Sequence, residues 1–404
     1  MSGVDFVGSL LNGAETEWKP LESCANIERG RRVTKSELSP EKTYPVFSGG
    51  VTPMGFYDES NQEKNTITVV KYGTAGFVNF IETDFWANDV CYCIKPDATL
   101  NTRYLFHYLK KHQVDIQSLA TDAIPAHLPT EAIAKYPIPI PCPGNTKKSL
   151  EIQAEIARIL DGFTELTAEL TAELTARKTQ YNHYRDQLLR FEGGDAEWKA
   201  LGEIGEFIRG KRFTKADFVD HGIDAIHYGE IYTRYGVWTD HAVTKVRPEL
   251  QGSLRYANPN DVVLTGVGET VEDVGKAVAW IGSGNVAIHD DSYAFRHSMN
   301  PKYIAYAMQT ASFIDEKAKH VSRGKVNRLL IDGVAKVRVP IPYPNDAEKS
   351  LAEQARIVTI LDKFDALTHS ITEGLPREIE LRQKQYEHYR DLLLSFPKPH
   401  EAAA

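Results

Sequence analysis

The chain has 404 residues, 42% of them hydrophobic, and a formal net charge of −8 at pH 7. That length allows two globular domains, each with its own core. No run of about 18 apolar residues occurs, and the first residues lack the layout of a signal peptide, so we expect a cytoplasmic protein that does not contact a membrane. A negative total usually disfavours a nucleic-acid partner, but basic residues gathered on one face can still bind one.

The four cysteines, which all lie in the first half, do not form a disulfide framework. Cys91 and Cys93 alternate on a predicted strand and therefore point to the same face, where they could bind zinc as a pair. No second pair with metal spacing follows them, so we predict reduced thiols and no metal site.

Each half of the chain begins with the same short motif, followed by a basic loop. Residues 17–21 read Glu-Trp-Lys-Pro-Leu, and residues 197–201 read Glu-Trp-Lys-Ala-Leu. Both loops then contain Arg-Gly-basic-Arg-x-Thr-Lys. One such loop is normally a solvated surface, but its repetition predicts contacts with phosphate groups of nucleic acid. The basic residues predicted to make these contacts are Arg29, Arg31, Arg32, Lys35, Arg209, Lys211, Arg212 and Lys215.

A β-rich segment with a hairpin follows each basic loop. Residues 65–71 and 77–81 predict strands around a turn at 72–76, and residues 261–264 and 275–281 predict the same around 265–270. A further loop precedes the end of each segment. Candidate contacts with bases in these turns and loops are Lys71, Tyr72, Thr74, His127, Thr265, Glu269, Thr270, Arg323, Lys325 and Asn327.

Each segment closes with a short helix, at residues 104–110 or 303–308, and then a proline-rich stretch. Residues 137–143 and 339–344 carry proline at alternate positions. Because proline cannot donate to a sheet, we expect an edge strand or a stiff extended connector there.

Residues 150–191 predict one long helix, because apolar residues recur at the alternating threes and fours of a coiled-coil seam. A second apolar stripe at 351–396 is expected to pair with it. Residues 156–163 match 357–364, and residues 181–189 match 386–394, so the helix is duplicated as well. A Gly-Leu-Pro break at 374–376 interrupts the second copy.

These helical motifs and the Pro-Ile-Pro exits resemble those of the DNA specificity subunits of type I restriction-modification enzymes, most of all the type IC branch. The resemblance implies an α+β fold with two target recognition domains, joined by two long antiparallel coiled-coil helices in an internal pseudo-two-fold repeat. The implied division is a recognition domain at 1–145, a spacer helix at 146–192, a second recognition domain at 193–346, a helical region at 347–396 and a tail at 397–404.

The resemblance also implies a non-catalytic chain. Each domain would read half of a bipartite double-stranded DNA target, and the helices would set the spacing and dock two modification subunits, with restriction subunits joining the complex. S-adenosylmethionine, ATP and magnesium would be bound by those partners, which make the assembly an adenine methyltransferase and ATP-dependent endonuclease. The helix residues assigned to partner contacts are Tyr181, Tyr184, Arg185, Tyr386, Tyr389 and Arg390.

Two other readings of the sequence compete with this one. A catalytic site could start from residues 289–291 (His-Asp-Asp) or from His127, but no nucleophile and base fall at diagnostic spacing. Residues 268–277 approach a phosphate-binding loop, yet six residues rather than four separate the two glycines. A coiled-coil scaffold without DNA specificity would explain the helices but not the paired basic loops.

Overall fold

The computed structural model describes residues 15–191, 196–369 and 374–396. The chain divides into two compact units. Unit 1 contains the residues up to Glu169 and those from Glu380 onward, and unit 2 runs from Leu170 to Ile379. Both boundaries fall inside helices, so each unit combines a β-rich part with part of each divided helix. The predicted tail at 397–404 and the first 14 residues of the predicted N-terminal domain lie outside the described residues.

Unit 1 contains nine strands and three short helices before the long helix, within its described residues. The strands are β1 (Thr16–Pro20), β2 (Ala25–Arg29), β3 (Tyr44–Phe47), β4 (Phe56–Tyr57), β5 (Thr66–Val70), β6 (Val78–Ile81), β7 (Trp86–Ala87), β8 (Cys91–Pro96) and β9 (Pro137–Pro141). The helices are α1 (Thr102–Lys111), α2 (Gln113–Ser118), α3 (Thr130–Ala134) and the long α4 (Thr146–Leu188).

The central sheet of unit 1 has the strand order β2-β8-β5-β6, with all neighbours antiparallel. A smaller sheet has the order β4-β3-β7. Strand β5 is buried along its whole length, which suits its run of β-branched residues. Ile67 and Val69 pack in one core with Tyr92 and with Tyr104 of α1. The hairpin predicted around residues 72–76 is confirmed, with strands β5 and β6.

Unit 2 repeats this plan and has more strands, all of which are given next. They are β10 (Ala196–Ala200), β11 (Gly205–Arg209), β12 (Phe218–Ile226), β13 (Trp238–Thr239), β14 (Thr244–Val246), β15 (Tyr256–Ala257), β16 (Val262–Thr265), β17 (Val267–Gly268), β18 (Ala277–Trp280), β19 (Val286–Ile288), β20 (Ser292–His297), β21 (Val321–Ser322), β22 (Asn327–Leu329) and β23 (Arg338–Pro342). Its helices are α5 (Leu201–Ile204), α6 (Tyr228–Thr233), α7 (Pro301–Ala307), α8 (Ala311–Ala318), α9 (Ile331–Val334), α10 (Ala347–His369) and α11 (Gly374–Leu393), the last of which continues into unit 1.

The main sheet of unit 2 has the order β11-β20-β16-β18-β13, and its first four strands correspond to β2, β8, β5 and β6. A second sheet, β14-β12-β19-β15, and a third, β17-β22-β21, complete the unit. The hairpin predicted around 265–270 is present, but its turn contains the short strand β17, which pairs with β22. The repeat found in the sequence is therefore a repeat of sheet topology.

The proline-rich stretches are edge strands, as predicted. Strand β9 pairs with β1, with Trp18 opposite Pro139, and β23 pairs with β10, with Trp198 opposite Pro340. Each forms a two-stranded sheet, so the prolines interrupt no central ladder. The shared Glu-Trp-Lys motif is thus the pairing partner of the exit strand.

The predicted long helix is confirmed as α4, which spans 43 residues. The second helical region is two helices, α10 and α11, and α11 begins at the predicted Gly-Leu-Pro break. Gly374 begins α11 with a φ of 76°, a left-handed conformation that favours glycine, and Pro376 follows in the first turn, where its missing N–H is tolerated. No helix in the described ranges is long and apolar enough to cross a membrane.

Candidate nucleic-acid interface

In unit 1, the three groups of candidate contact residues meet at one end of the central sheet. Strands β2 and β5 both pair antiparallel with β8, so their carboxyl ends lie at the same edge. Arg29 lies opposite Tyr92, and Val70 lies opposite Cys91. The basic loop after β2 and the hairpin turn after β5 therefore leave the sheet side by side.

The third group joins them through residue 127. Tyr72 forms an isolated bridge with His127, and their rings stack with centroids 5.5 Å apart. The backbone N–H of Leu128 donates to the Lys71 carbonyl at 2.8 Å, and Lys71 Nζ lies 5.4 Å from the centre of the Tyr72 ring. We call residues 30–35, 71–76 and 121–128 the reading end of unit 1.

Unit 2 has the same arrangement. Arg209 lies opposite Tyr293, and Thr265 lies opposite Ser292, so the basic loop and the turn again leave one edge together. The pre-exit loop joins this edge because β17 pairs with β22 and the N–H of Leu329 donates to the Gly266 carbonyl at 2.9 Å. Residues 210–215, 266–275 and 322–329 form the reading end of unit 2.

The residues that the two basic loops share have structural roles. A Cβ at Gly30 would lie 2.2 Å from the Asn88 carbonyl oxygen, and one at Gly210 would lie 2.1 Å from that of His289. Glycine is therefore required by close approach of the chain's own backbone. Val33 and Phe213, in the variable position, are buried and hold each loop to its unit.

Threonine in each basic loop caps the short 3-10 helix that follows. The N–H of Thr34 donates to the Glu37 carboxylate, and the N–H of Thr214 donates to that of Asp217, both at 2.8 Å. The Thr34 hydroxyl and then its N–H lower the pKa of the Glu37 carboxyl, and the Thr214 N–H and then its hydroxyl lower the pKa of the Asp217 carboxyl. Lys35 and Lys215 are the first residues of these 3-10 helices and are exposed.

Six of the basic side chains face solvent without an ion-pair partner among the described residues: Arg31, Arg32, Lys35, Lys211, Arg212 and Lys215. Arg29 and Arg209 differ from them, because their Nε atoms donate to the Asp89 and Asp290 carbonyls at 2.7 and 2.9 Å. Both therefore brace the base of the loop. The free cations are available for phosphate groups.

Two candidate residues of unit 2 are removed by their burial. Thr265 is 0% exposed, and its hydroxyl oxygen accepts from Tyr232 Oη at 2.6 Å and from the Gly275 N–H at 3.1 Å. Asn327 is 8% exposed and donates to the Glu269 carbonyl at 2.8 Å. Their side chains complete the turn and do not face a ligand.

Five of the remaining candidates keep exposed side chains, whereas Lys71, Tyr72 and His127 are half-buried. Thr270 hydrogen-bonds to the Asp273 carboxylate at 2.7 Å, and Thr74 donates to the Gly49 carbonyl at 2.9 Å, while each residue remains at the surface. Glu269, Arg323 and Lys325 are likewise exposed.

Sequence reasoning missed Arg328 and Tyr228. Arg328 is exposed, and its Nη1 lies 3.7 Å from an Asp291 carboxylate oxygen. With Tyr228 and Glu269 it lines a cleft of about 550 Å³ at the reading end of unit 2. Alternation along β22, where Asn327 is buried and Arg328 exposed, could have identified the arginine had the strand been predicted.

The segment at 289–291 supports the basic loop rather than forming a catalytic site. The His289 ring packs edge-on against Phe213, and its Nδ1 accepts from the Asp291 N–H at 3.1 Å. Burial lowers the pKa of neighbouring His227 to about 4, and His289 contributes to the shift. His289, Asp290 and Asp291 could supply three metal ligands within 4.8 Å of one another, but the bonds just described already use part of this set.

The cysteine pair in unit 1 lies inside the protein, away from solvent. Cys91 and Cys93 are buried, and burial raises the pKa of each thiol to about 12. Burial therefore keeps both thiols in the neutral form at pH 7. Cys91 Sγ lies 3.1 Å from the Ser48 carbonyl oxygen, to which it can donate.

One aspartate of each duplicated Ile-Leu-Asp motif fastens the β-rich part of its unit to a long helix. Asp161 of α4 accepts from Arg103 Nε at 3.0 Å, and His107 Nε2 lies 2.6 Å from the same carboxylate. Burial of this carboxyl opposes ionisation, but the bonds to His107 and Arg103 outweigh it and lower the pKa to about 2.

Unit 2 contains the corresponding contact. Asp362 of α10 accepts from Lys302 Nζ at 2.8 Å and from the Tyr306 hydroxyl at 2.7 Å, and both donors lie on α7. In both units, the aspartate of the helix motif therefore binds side chains of the short helix that closes the β-rich part, α1 in unit 1 and α7 in unit 2.

The duplicated aromatic residues pair between the two helix motifs. Phe163 stacks on Tyr389 with ring centroids 5.1 Å apart in unit 1, and Tyr184 stacks on Phe364 at 5.6 Å in unit 2. In each unit, the phenylalanine of one helix opening meets the tyrosine of another helix end. This is the contact expected of antiparallel helices.

Two residues that we assigned to partner contacts are buried in unit 2 instead. Tyr181 is 1% exposed in the core, and Arg185 is 7% exposed and bonds to Asp186 and Asn182. Tyr386 and Tyr389 pack partly against the core of unit 1, whereas Tyr184 and Arg390 keep exposed atoms.

Comparison with known proteins gives one consistent family. The model of the type I restriction modification DNA specificity domain matches residues 15–177 and again 194–381. Over 99% of its length, the chain is 35% identical to the specificity subunit of type I restriction enzyme EcoR124I/EcoR124II from Escherichia coli, of which it covers 99%. Over 97% of its length, it is 32% identical to the putative type I restriction enzyme specificity subunit S.HindORF215P of Haemophilus influenzae, of which it covers 98%.

Solved structures share the fold. The S subunit of a type I restriction-modification system from M. genitalium aligns over 96% of this chain and 98% of its own, with a TM-score of 0.59 and 19% identity. A chain from a structure that addresses complex assembly and conformational transition of the type I system aligns over 94% and 97%, with a TM-score of 0.56 and 13% identity. The two matches to one domain model, and the full-length relatives, show that this chain belongs to the type I restriction-modification DNA specificity family.

Proposed function

We propose that this chain recognises DNA for a type I restriction-modification complex, with each reading end contacting one half of a bipartite target. The observation that carries the proposal is the convergence, in both units, of a basic loop, a hairpin turn and a pre-exit loop at one end of a sheet. Exposed cations such as Arg31 and Lys211 suit phosphate contacts, and the turns and pre-exit loops suit base edges.

In this proposal the long helices connect recognition to assembly. Asp161 and Asp362 hold each recognition domain to a helix, so the helices set the distance between the two half-sites. Two modification subunits dock on exposed helix surfaces that include Tyr184 and Arg390. Restriction subunits join through the complex, which acts in the cytoplasm on double-stranded DNA.

We assign no catalytic step to this chain. S-adenosylmethionine, ATP and magnesium belong to the partner subunits, and adenine methylation and DNA cleavage are activities of the assembly. The residues of the reading ends position DNA: cations of the basic loops fix the register on the backbone, and side chains of the turns and pre-exit loops distinguish bases.

Selection from a random duplex pool tests the proposal. The chain, purified with its modification subunits, should retain duplexes that share one bipartite sequence. The same selection on a complex with Arg31, Arg32, Lys211 and Arg212 all changed to Gln should retain little DNA. Retention by the wild-type complex without a common sequence would support a scaffold and contradict the proposal.

A further inference from the structure

We propose that the pre-exit loop of unit 1 reads an A·T pair in the major groove, with Ile124 packing against the thymine methyl group. This inference rests on the proposed function and adds a specificity-determining residue to it. Ile124 is fully exposed at the tip of residues 121–127. Neither its burial nor its sequence neighbours give it a role in the core.

The loop presents this side chain from a closed base. The N–H of Thr121 donates to the His127 carbonyl at 2.9 Å, and the Thr121 hydroxyl lies 2.8 Å from His127 Nδ1. His127 in turn stacks on Tyr72, and Leu128 beside it is fully buried. The tip is therefore carried by a fixed stem at the reading end rather than by a free segment.

The chemistry of the tip favours base edges over phosphate groups. Residues 122–126 read Asp-Ala-Ile-Pro-Ala, so the single charge of the tip is negative. A carboxylate is repelled by the phosphate backbone, and it also opposes entry into a narrow minor groove, whose negative potential attracts cations. Cations nearby, including Lys71 and the basic loop, supply the attraction to DNA that the tip lacks.

The major groove offers partners for both chemical groups of the tip. Thymine presents its C5-methyl group there, and adenine of the same pair presents an amino donor. Ile124 supplies an apolar surface for the methyl group, and Asp122, which is also exposed, can accept from an amino group. An A·T pair is the base pair that presents a methyl group and an amino donor together.

The corresponding loop of unit 2 has different chemistry. Between β21 and β22 it presents Arg323 and Lys325, both exposed, while its one exposed apolar residue, Val326, lines the cleft beside Arg328. The same position in the repeat therefore contacts DNA through positive charge in unit 2 and through an apolar group in unit 1. This difference predicts a thymine methyl contact in one half-site and makes unit 2 an internal comparison.

Uracil substitution tests the contact, because uracil lacks only the C5-methyl group of thymine. The bipartite target is first identified from wild-type selection, and duplexes are then made with uracil at each thymine of the half-site assigned to unit 1. Binding is measured by competition for the chain in complex with its modification subunits. One uracil should weaken wild-type binding about threefold to tenfold, as expected for one buried methyl group.

The Ile124→Ala variant should bind the thymine duplex with a similar loss and show no further loss with that uracil. Because Ile124 makes no core contact, its unfolding midpoint should equal that of the wild type. Val243→Ala removes an exposed apolar side chain from unit 2 and serves as the control, with wild-type sensitivity to uracil expected.

Several outcomes would overturn the inference while leaving the proposed function intact. One is a unit 1 half-site without an A·T pair. Another is that uracil and Ile124→Ala cause equal losses of binding affinity that add together. A third is a loss of DNA bending in Ile124→Ala without any effect of uracil on binding. The last outcome would indicate an apolar wedge in the minor groove. Failure of the wild-type complex to select any sequence would instead contradict the proposed function itself.

Discussion

Neutralising the exposed cations of one reading end should weaken DNA binding without changing the preferred sequence. The variants are Arg31→Gln with Arg32→Gln in unit 1, and Lys211→Gln with Arg212→Gln in unit 2. Each of these side chains is exposed and makes no ion pair with the described residues. Each can therefore contact a phosphate group without first breaking an internal bond.

The expected magnitude follows from counterion release. Each phosphate contact contributes about 0.9 to the slope of log K against log salt, so two lost contacts lower the slope by about 1.8. Between about 50 and 200 mM salt, wild-type affinity should then fall about twelvefold more than that of the double variant.

Fluorescence anisotropy of labelled duplexes across a salt series measures this slope. Cognate and scrambled duplexes should lose affinity to a similar extent, because phosphate contacts carry no sequence information. Lys135→Gln is the matched control. Lys135 is exposed and pairs with Glu131. Tyr136, which follows Lys135 in the chain, accepts at its carbonyl from the N–H of Leu21, and Leu21 precedes β2. That places the control at the other end of β2, so its slope should be unchanged. A changed base preference with an unchanged slope in either double variant would refute the assignment to phosphate contacts.

Asp161→Asn should destabilise unit 1 by about 1–2 kcal/mol at pH 7 in denaturant unfolding, since the pKa of the Asp161 carboxyl is about 2, depressed from 3.8. The control is Glu155→Gln, which loses an exposed pair with Arg158 and should cost under about 0.5 kcal/mol. The depressed pKa makes this stabilisation present above pH 3.8 and lost as the pH falls towards 2, so equal effects of both variants at pH 7 would contradict it. Inserting Thr-Ala-Glu-Leu after Leu174 of the continuous helix α4 adds about one turn and about 6 Å, so the gap between half-sites should lengthen by about one base pair. Sequencing of methylated sites should show the longer gap and unchanged half-sites. An unchanged gap would contradict this prediction. Lys317→Met should weaken selection of the unit 2 half-site alone, because the buried ammonium donates to the Glu272 and Val274 carbonyls at 2.6 Å and holds the hairpin turn. Burial lowers the pKa of Lys317 to about 8, so between pH 8 and 10.5 the unfolded state binds one more proton than the folded state. The stability of the wild type should therefore rise over this range relative to that of the variant. A fall in wild-type stability relative to the variant would oppose the assignment of the lowered pKa to Lys317.

Duplication made much of the fold predictable from sequence. Two copies of one hairpin pattern gave two neighbouring strands of each central sheet, and matched helix motifs gave α4 and its counterpart. The partner of the exit strand was not predicted, because pairing of Trp18 with Pro139 joins residues far apart in the chain, and no local pattern encodes that register. Division of the second helical region into α10 and α11 follows from Gly374, whose left-handed backbone cannot continue a helix from the preceding residues.

Individual contact residues were predicted less well than their position. The loops that carry them do converge, but burial of Thr265 and exposure of Arg328 depend on the pairing of β17 with β22, two strands too short to recognise by alternation. Tyr181 and Arg185 follow the apolar seam of α4, and their burial depends on where unit 2 packs along that helix. The middle of α4 is largely exposed, although its leucines repeat, because steps of four drift away from a seam with a mean step of 3.5.

Exchange of one recognition domain tests the central claim most directly, which is that each unit reads its own half of the target. Residues 25–140 are replaced by the corresponding domain of a relative, which keeps β1 and the helices of this chain, and the sites methylated by the assembled complex are sequenced. We predict that one half of the bipartite sequence changes to that of the relative while the other half stays the same. A change in both halves, or loss of specificity in both, would contradict independent reading by the two units.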